Sequence, residues 1–69
     1  MKNNQYLIDM GKRIRQERKS KKMSLETLSE LTQIDLSNLS FLERGMRNTH
    51  ILSLKAIADV LEVDVKSFL

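Results

Sequence analysis

Between Leu25 and Arg44 the apolar side chains fall at Leu28, at Leu31 or Thr32, and at Ile34, Leu39 and Leu42. Two short helices joined by a tight turn satisfy that spacing. Helices that cross steeply bury their inner corner through those positions, so the outer face of the second helix projects from the domain. The chain has 69 residues, no proline and two glycines, which leaves capping residues and the glycines as punctuation and makes every connection short. A chain of this length hides only about 60% of the surface its unfolded form exposes. It can build one modest core, and it has no second lobe to close over a substrate.

Reading outward from that segment predicts an all-α domain of five helices spanning residues 1–69, with residues 1–4 a flexible tail. Leu7, Met10, Ile14 and the stem of Arg18 recur at three- and four-residue steps and mark a first helix over about 5–20. Lys19 to Lys22 suit its C-terminus, and Ser24 is a good N-cap for a second helix over about 24–32, with Glu26 in its first turn. Leu25, Leu28 and Leu31 or Thr32 face inward there. Asp35 caps a third helix that runs to about Arg44, with Leu39 and Leu42 inward, and Gly45 supplies the left-handed residue that ends it. Ile51, Leu54, Ile57, Ala58 and Leu61 mark a fourth helix. Asp64 caps a final short helix holding Val65, Phe68 and Leu69. Val60, Val63 and Val65 alternate with other residues, but the run is too short for a strand and has no pairing partner.

Charge divides the chain unevenly. Residues 1–22 carry eight basic side chains against Asp9 and Glu17, whereas residues 23–69 carry four basic against seven acidic ones. A basic first third suits a polyanion, either nucleic acid or an anionic membrane surface, and a solvated lysine-rich helix face accounts for it equally well. A membrane-surface helix over 5–22 conflicts with the need for Ile14 and Arg18 in the core. The chain has no cysteine, and one histidine, His50, cannot supply a metal cluster, so neither a metal nor another cofactor is expected. Serine nucleophiles would lack a base and its orienter; an enzyme is not expected. No apolar run reaches membrane-spanning length and the start lacks a signal-peptide core, which suggests a cytoplasmic protein.

At 100° per residue, Ser37, Ser40, Phe41 and Arg44 share one quadrant of the third helix opposite Leu39 and Leu42, with Leu36 and Asn38 on its flanks. A helix of this diameter fits a DNA major groove, and that quadrant is the candidate reading face. The run MSLETLSELTQIDLSNLSFLERG, followed by RN and LSLKAIADVLEV, resembles the Cro/cI-type (xenobiotic-response-element) helix-turn-helix regulators. Restriction-modification controller proteins are similar in length. The resemblance covers residues 7–69 and is most specific at Leu39-Ser40-x-Leu42-Glu43-Arg44-Gly45 and at Ile57-Ala58-x-x-Leu61. It implies a compact lambda-repressor-like domain with its helix-turn-helix at about 25–44. Such a domain binds double-stranded DNA at a two-fold symmetric operator as a homodimer, helix three in the major groove, to regulate transcription.

The resemblance also distributes roles. Leu36, Ser37, Asn38, Ser40, Phe41 and Arg44 would read bases, and Lys21, Lys22, Ser24, Arg47 and Asn48 would hold phosphates. Arg18 and Glu43 match an ion pair internal to the domain, and Glu26 and Glu30 occupy the edge that touches RNA polymerase in lambda repressor. Ser37 and Ser40 hydroxyls give or take one hydrogen bond and discriminate poorly between bases. Leu36 suits a thymine methyl or packing on helix two equally; Phe41 is exposed on the wheel and suits thymine. Asn38 can pair with adenine if it reaches the groove, and Asn48 can also shape a turn or cap helix four. His50 suits a capping or surface contact. Val65, Phe68 and Leu69 are the expected dimer surface, although an apolar ending also suits a lid on the core. Two positions depart from the family pattern: Leu25 stands where glutamine is common, removing a phosphate contact, and Gln33 stands where the turn commonly has glycine. A rival reading keeps the fold as a protein-binding adaptor or antitoxin-like partner gripping through Leu36 and Phe41, prompted by the few basic residues on helix three.

Overall fold

The computed structural model describes residues 4–69. Of the expected tail 1–4, residues 1–3 lie outside the described residues. Asn4 is a cap: its Oδ1 accepts the Leu7 backbone N–H at 3.2 Å and starts the first helix. Four α-helices follow: α1 (Gln5–Ser20), α2 (Leu25–Thr32), α3 (Leu36–Glu43) and α4 (Ile51–Leu61). The expected fifth helix is a single turn of 3-10 helix, Val65–Phe68, started by Asp64 Oδ1 accepting the Lys66 N–H. No strand occurs among the described residues.

Side-chain caps start α2 and α3, where Ser24 Oγ accepts the Thr27 N–H and Asp35 Oδ2 accepts the Ser37 N–H, each at 3.0 Å. His50 is the N-cap of α4 but makes no side-chain cap bond, and Asn48 Oδ1 instead accepts the Thr49 N–H. Helices α1, α3 and α4 all end in one paired pattern. Met23 N–H donates to Arg18 O and Lys22 N–H to Lys19 O; Met46 and Gly45 do the same to Phe41 and Leu42, and Val63 and Glu62 to Ala58 and Asp59. Each pattern needs a left-handed residue. Gly45 (φ 74) is one, but Lys22 (φ 55) and Glu62 (φ 60) are the others, and Gln33 (φ 63) takes the same conformation in the turn between α2 and α3. Glycine therefore marks one of four such positions, and Gln33 does adopt the strained conformation that its departure from the family pattern implies.

The core is a single cluster of Met10, Ile14, Leu28, Leu39, Leu42, Leu54, Ile57, Ala58, Leu61 and Phe68. One alternative is resolved and one residue expected on an inward face lies at the surface. On α2, Thr32 is the inward member of the pair, its hydroxyl donating to Leu28 O, and Leu31 points to solvent. Ile51, the first residue of α4, lies off the Leu54–Ala58–Leu61 face and is 56% exposed. Of the residues expected on a dimer surface, Leu69 is exposed, whereas Phe68 is completely buried. Phe68 is thus a core residue and no part of a dimer surface: the terminal turn packs on α1 and α4 and closes the core from that end.

The second glycine is not punctuation. Gly11 lies inside α1, where a Cβ would stand 2.4 Å from Leu42 O and 2.6 Å from Glu43 O. The backbone of α1 rests directly on the last turn of α3, a contact that no side chain permits.

These positions yield opposite stability changes, measurable by urea titration. Gln33→Gly relieves the left-handed strain and raises stability by about 1 kcal/mol. Gly11→Ala favours the isolated helix by about 1 kcal/mol, yet it forces α1 off α3 and lowers stability by about 3 kcal/mol.

Candidate nucleic-acid interface

The element that would meet a groove, α3, is held from behind by a buried ion pair. Arg18 Nε donates to Glu43 Oε2 at 2.7 Å and Arg18 Nη2 to Glu43 Oε1 at 2.9 Å, a bidentate bond between α1 and the end of α3. The remaining nitrogen, Nη1, donates to Met23 O at 2.8 Å while the Met23 N–H returns a bond to Arg18 O. One side chain therefore fixes the end of α1, the entry to α2 and the end of α3. Hydrogen bonding to Glu43 raises the Arg18 pKa above its ordinary value, with burial opposing. A raised pKa on a cation contributes stability that is complete below the unfolded value and is lost only as pH climbs through the folded one, far above neutrality.

The turn ahead of α3 is stapled by small hydroxyls. Ser29 Oγ donates to Ile34 O, and Thr32 Oγ1 accepts the Ile34 N–H at 3.3 Å while donating to Leu28 O. That sets the face presented by α3. Ser37, Asn38 and Arg44 are exposed, Leu36 is 40% exposed, and Ser40 and Phe41 are half-buried. The wheel places Phe41 in solvent; its ring is instead covered by two guanidiniums, Arg44 Cζ at 5.0 Å and Arg47 Cζ at 4.9 Å from the ring centroid. Each arginine has a second hold on α3: Arg44 Nε donates to Ser40 O at 3.3 Å, and Arg47 Nη1 donates to Asn38 Oδ1. Asn38 therefore meets the outside with its oxygen already engaged.

Two grooves flank α3. On the α2 side, Leu25, Glu26, Leu36, Ser37, Ser40, Phe41 and Arg44 line a space of about 340 Å³, so Leu36 faces helix two while remaining partly exposed. Continuous with it through Leu25, Ser40 and Arg44 is a smaller groove that adds Arg15. Arg15 escapes the sequence reading, because one of eight cations in the first third carries no mark of which neighbour it will face. On the α4 side, Asn38, Arg47, Asn48, Thr49, His50 and Ser53 line about 400 Å³ over Ile34 and Leu42. Arg47 and Asn48 are brought together there as expected, joined by Thr49, His50 and Ser53. Lys21, Lys22 and Ser24 are exposed at the entry to α2, and Glu26 and Glu30 are exposed along it, Glu26 at the groove beside α3. Among the described residues no helix is long and apolar enough to cross a membrane.

Residues 14–68 match the helix-turn-helix family, and the chain belongs to it as a Cro/C1-type DNA-binding transcriptional regulator. Solved structures of similar proteins agree in fold. The restriction-modification controller protein C.AhdI from Aeromonas hydrophila is similar with a TM-score of 0.87 and 32% identity, over 91% of this chain and 96% of its own. SinR, a master regulator for biofilm formation solved in complex with DNA, gives 0.82 at 38% identity over 86% of this chain and 95% of its own. The DNA-binding domain of BldD gives 0.83 at 27% identity over 100% and 99%. Among curated protein sequences nothing matches.

Removing one partner of the internal ion pair strands the other in a dry setting. Glu43→Ala or Arg18→Ala is expected to cost about 3 to 5 kcal/mol, enough to unfold much of the population at 37 °C. The double variant Arg18→Met/Glu43→Leu is expected to be more stable than either single one. Thermal melts of the three variants check both statements.

Proposed function

We propose that the chain regulates transcription by binding a two-fold symmetric operator as a homodimer, with α3 of each subunit in the major groove. The observation that carries this reading is the division of charge on α3. Its acidic side chain, Glu43, is turned inward to Arg18, while Arg44 and the adjacent Arg47 stand exposed on the outer face. A groove-facing helix stripped of negative charge and flanked by guanidiniums suits a polyanion. Ser37, Ser40 and Arg44 read base edges in this account, with Leu36 at the margin and Asn38 acting through its amide donor. Lys21, Lys22, Ser24, Arg47 and Asn48 hold phosphates, joined by Arg15 on the α2 side. SinR, a similar protein, is known in complex with DNA.

One helix of eight residues reaches only a few base pairs, so useful specificity requires a second copy about one DNA turn, roughly 34 Å, away. The dimer surface is assigned to α4 and the terminal turn, through Val65 and Leu69 with exposed Leu52, while Phe68 supports them from the core. Glu26 and Glu30 are exposed on α2 and are the candidates for a contact with RNA polymerase, although Glu26 also lines the groove beside α3.

Selection from random duplexes, followed by titration at several salt concentrations, tests the reading. It should enrich a two-fold symmetric site. Counting Arg15, Lys21, Lys22 and Arg47 in both subunits, log K should fall with log salt at a slope of roughly −7. Arg44→Ala should weaken the selected site by about 1 to 3 kcal/mol and relax one base position in each half. No enrichment, with a shallow slope, would overturn the DNA reading and favour a protein partner gripped through Leu36.

A further inference from the structure

Phe41 occupies the centre of the candidate reading face, yet its ring is already in contact with protein cations. Arg44 belongs to the grooves on the α2 side of α3 and Arg47 to the groove on the α4 side, and both guanidiniums lie within 5.0 Å of the one ring centroid. Neither arginine has a carboxylate within ion-pair distance among the described residues. Their remaining anchors are neutral oxygens of α3, Ser40 O for Arg44 and Asn38 Oδ1 for Arg47. Two like charges drawn to one side chain without a counter-anion repel each other. The aromatic face offsets part of that repulsion and keeps both charges on α3.

We propose that Phe41 is a positioning residue, which reads no base itself and holds Arg44 and Arg47 in a fixed relation across α3 so that they meet DNA as one unit. The inference rests on the DNA-binding reading above. Without the ring, Arg47 belongs to a loop and Arg44 to a helix end, and each loses rotamer freedom separately on binding. With it, much of that ordering is complete before DNA arrives. An anion placed between the two charges relieves their repulsion, so the set is more favourable bound than free.

Variants at position 41 separate this role from a thymine contact. In the free protein, Phe41→Leu should abolish the ring-current shifts of the Arg44 and Arg47 side-chain protons in NMR spectra, and a thermal melt confirms that the fold persists. On the operator obtained by selection, Phe41→Leu should bind about tenfold more weakly, whereas Phe41→Tyr and Phe41→Trp, which keep an aromatic face, should stay within about twofold of the parent. In an Arg44→Ala/Arg47→Ala background, Phe41→Leu should have no further effect. Deoxyuridine in place of each operator thymine, which removes the 5-methyl group, should not lower affinity by the Phe41→Leu factor at any position. A full tenfold loss from Phe41→Leu in the arginine-free background, or an equal loss from one deoxyuridine, overturns the proposal in favour of direct thymine contact. Ring-current shifts that are absent from the parent protein overturn it without reference to DNA. Intact shifts with no operator selected locate the failure in the DNA reading itself.

Discussion

The bidentate bond between Arg18 and Glu43 is the constraint on which the presentation of α3 depends. A helix of eight residues is too short to be stable in water by itself, so its orientation must come from neighbours. Leu39 and Leu42 attach it to the core, but apolar packing alone leaves rotation and sliding loosely specified. The guanidinium supplies direction: two parallel bonds fix the end of α3, and the third, to Met23 O, ties the same group to the start of α2. The close approach at Gly11 lets this happen, since α1 could not bring Arg18 to Glu43 with a side chain in the way.

Glu43 also decides the charge of the outer face. Directed inward, it neutralises Arg18 and leaves the outer face of α3 to Leu36, Asn38, two hydroxyls and a ring, with Arg44 and Arg47 just beyond the helix end. The grooves on either side draw their cations from different elements, and Glu26 also lines the one on the α2 side. Arg15 and Arg44 face the α2 side from two helices, and Arg47 faces the α4 side from a loop held against Asn38. Of the exposed cations in the first third, Arg15 is the one that lines a groove beside α3, while the face itself draws its cations from the middle of the chain.

Features that depend on neighbours in sequence are legible in the residues alone. Ser24 and Asp35 cap the helices they precede, and Gly45 ends α3 because its φ of 74 suits the absence of a Cβ. Leu28, Leu39 and Leu42 follow from period alone. The Arg18–Glu43 pair is legible only through resemblance, because a separation of 25 residues has no signature in spacing. What the residues hide depends on distant partners. Gly11 looks like a helix-weakening residue until Leu42 and Glu43 are placed against it. Phe68 looks like an interface until the core shows an end to close, and Phe41 looks exposed until Arg47 returns from the loop. Lys22 and Glu62 carry left-handed conformations that hydrogen-bond patterns impose and composition does not announce.

Those left-handed residues bear on how narrow the margin of stability is. Lys22, Gln33 and Glu62 each hold roughly 1 kcal/mol of backbone strain, in a domain whose size implies a total stability of about 3 to 10 kcal/mol. Three such positions therefore take a noticeable share of that margin. Any partner that binds only the folded form adds about 2.7 kcal/mol at a hundredfold excess over its Kd, lowering the open population about a hundredfold. The strain held at three surface positions is thus of the same order as the stability that one well-occupied site would add.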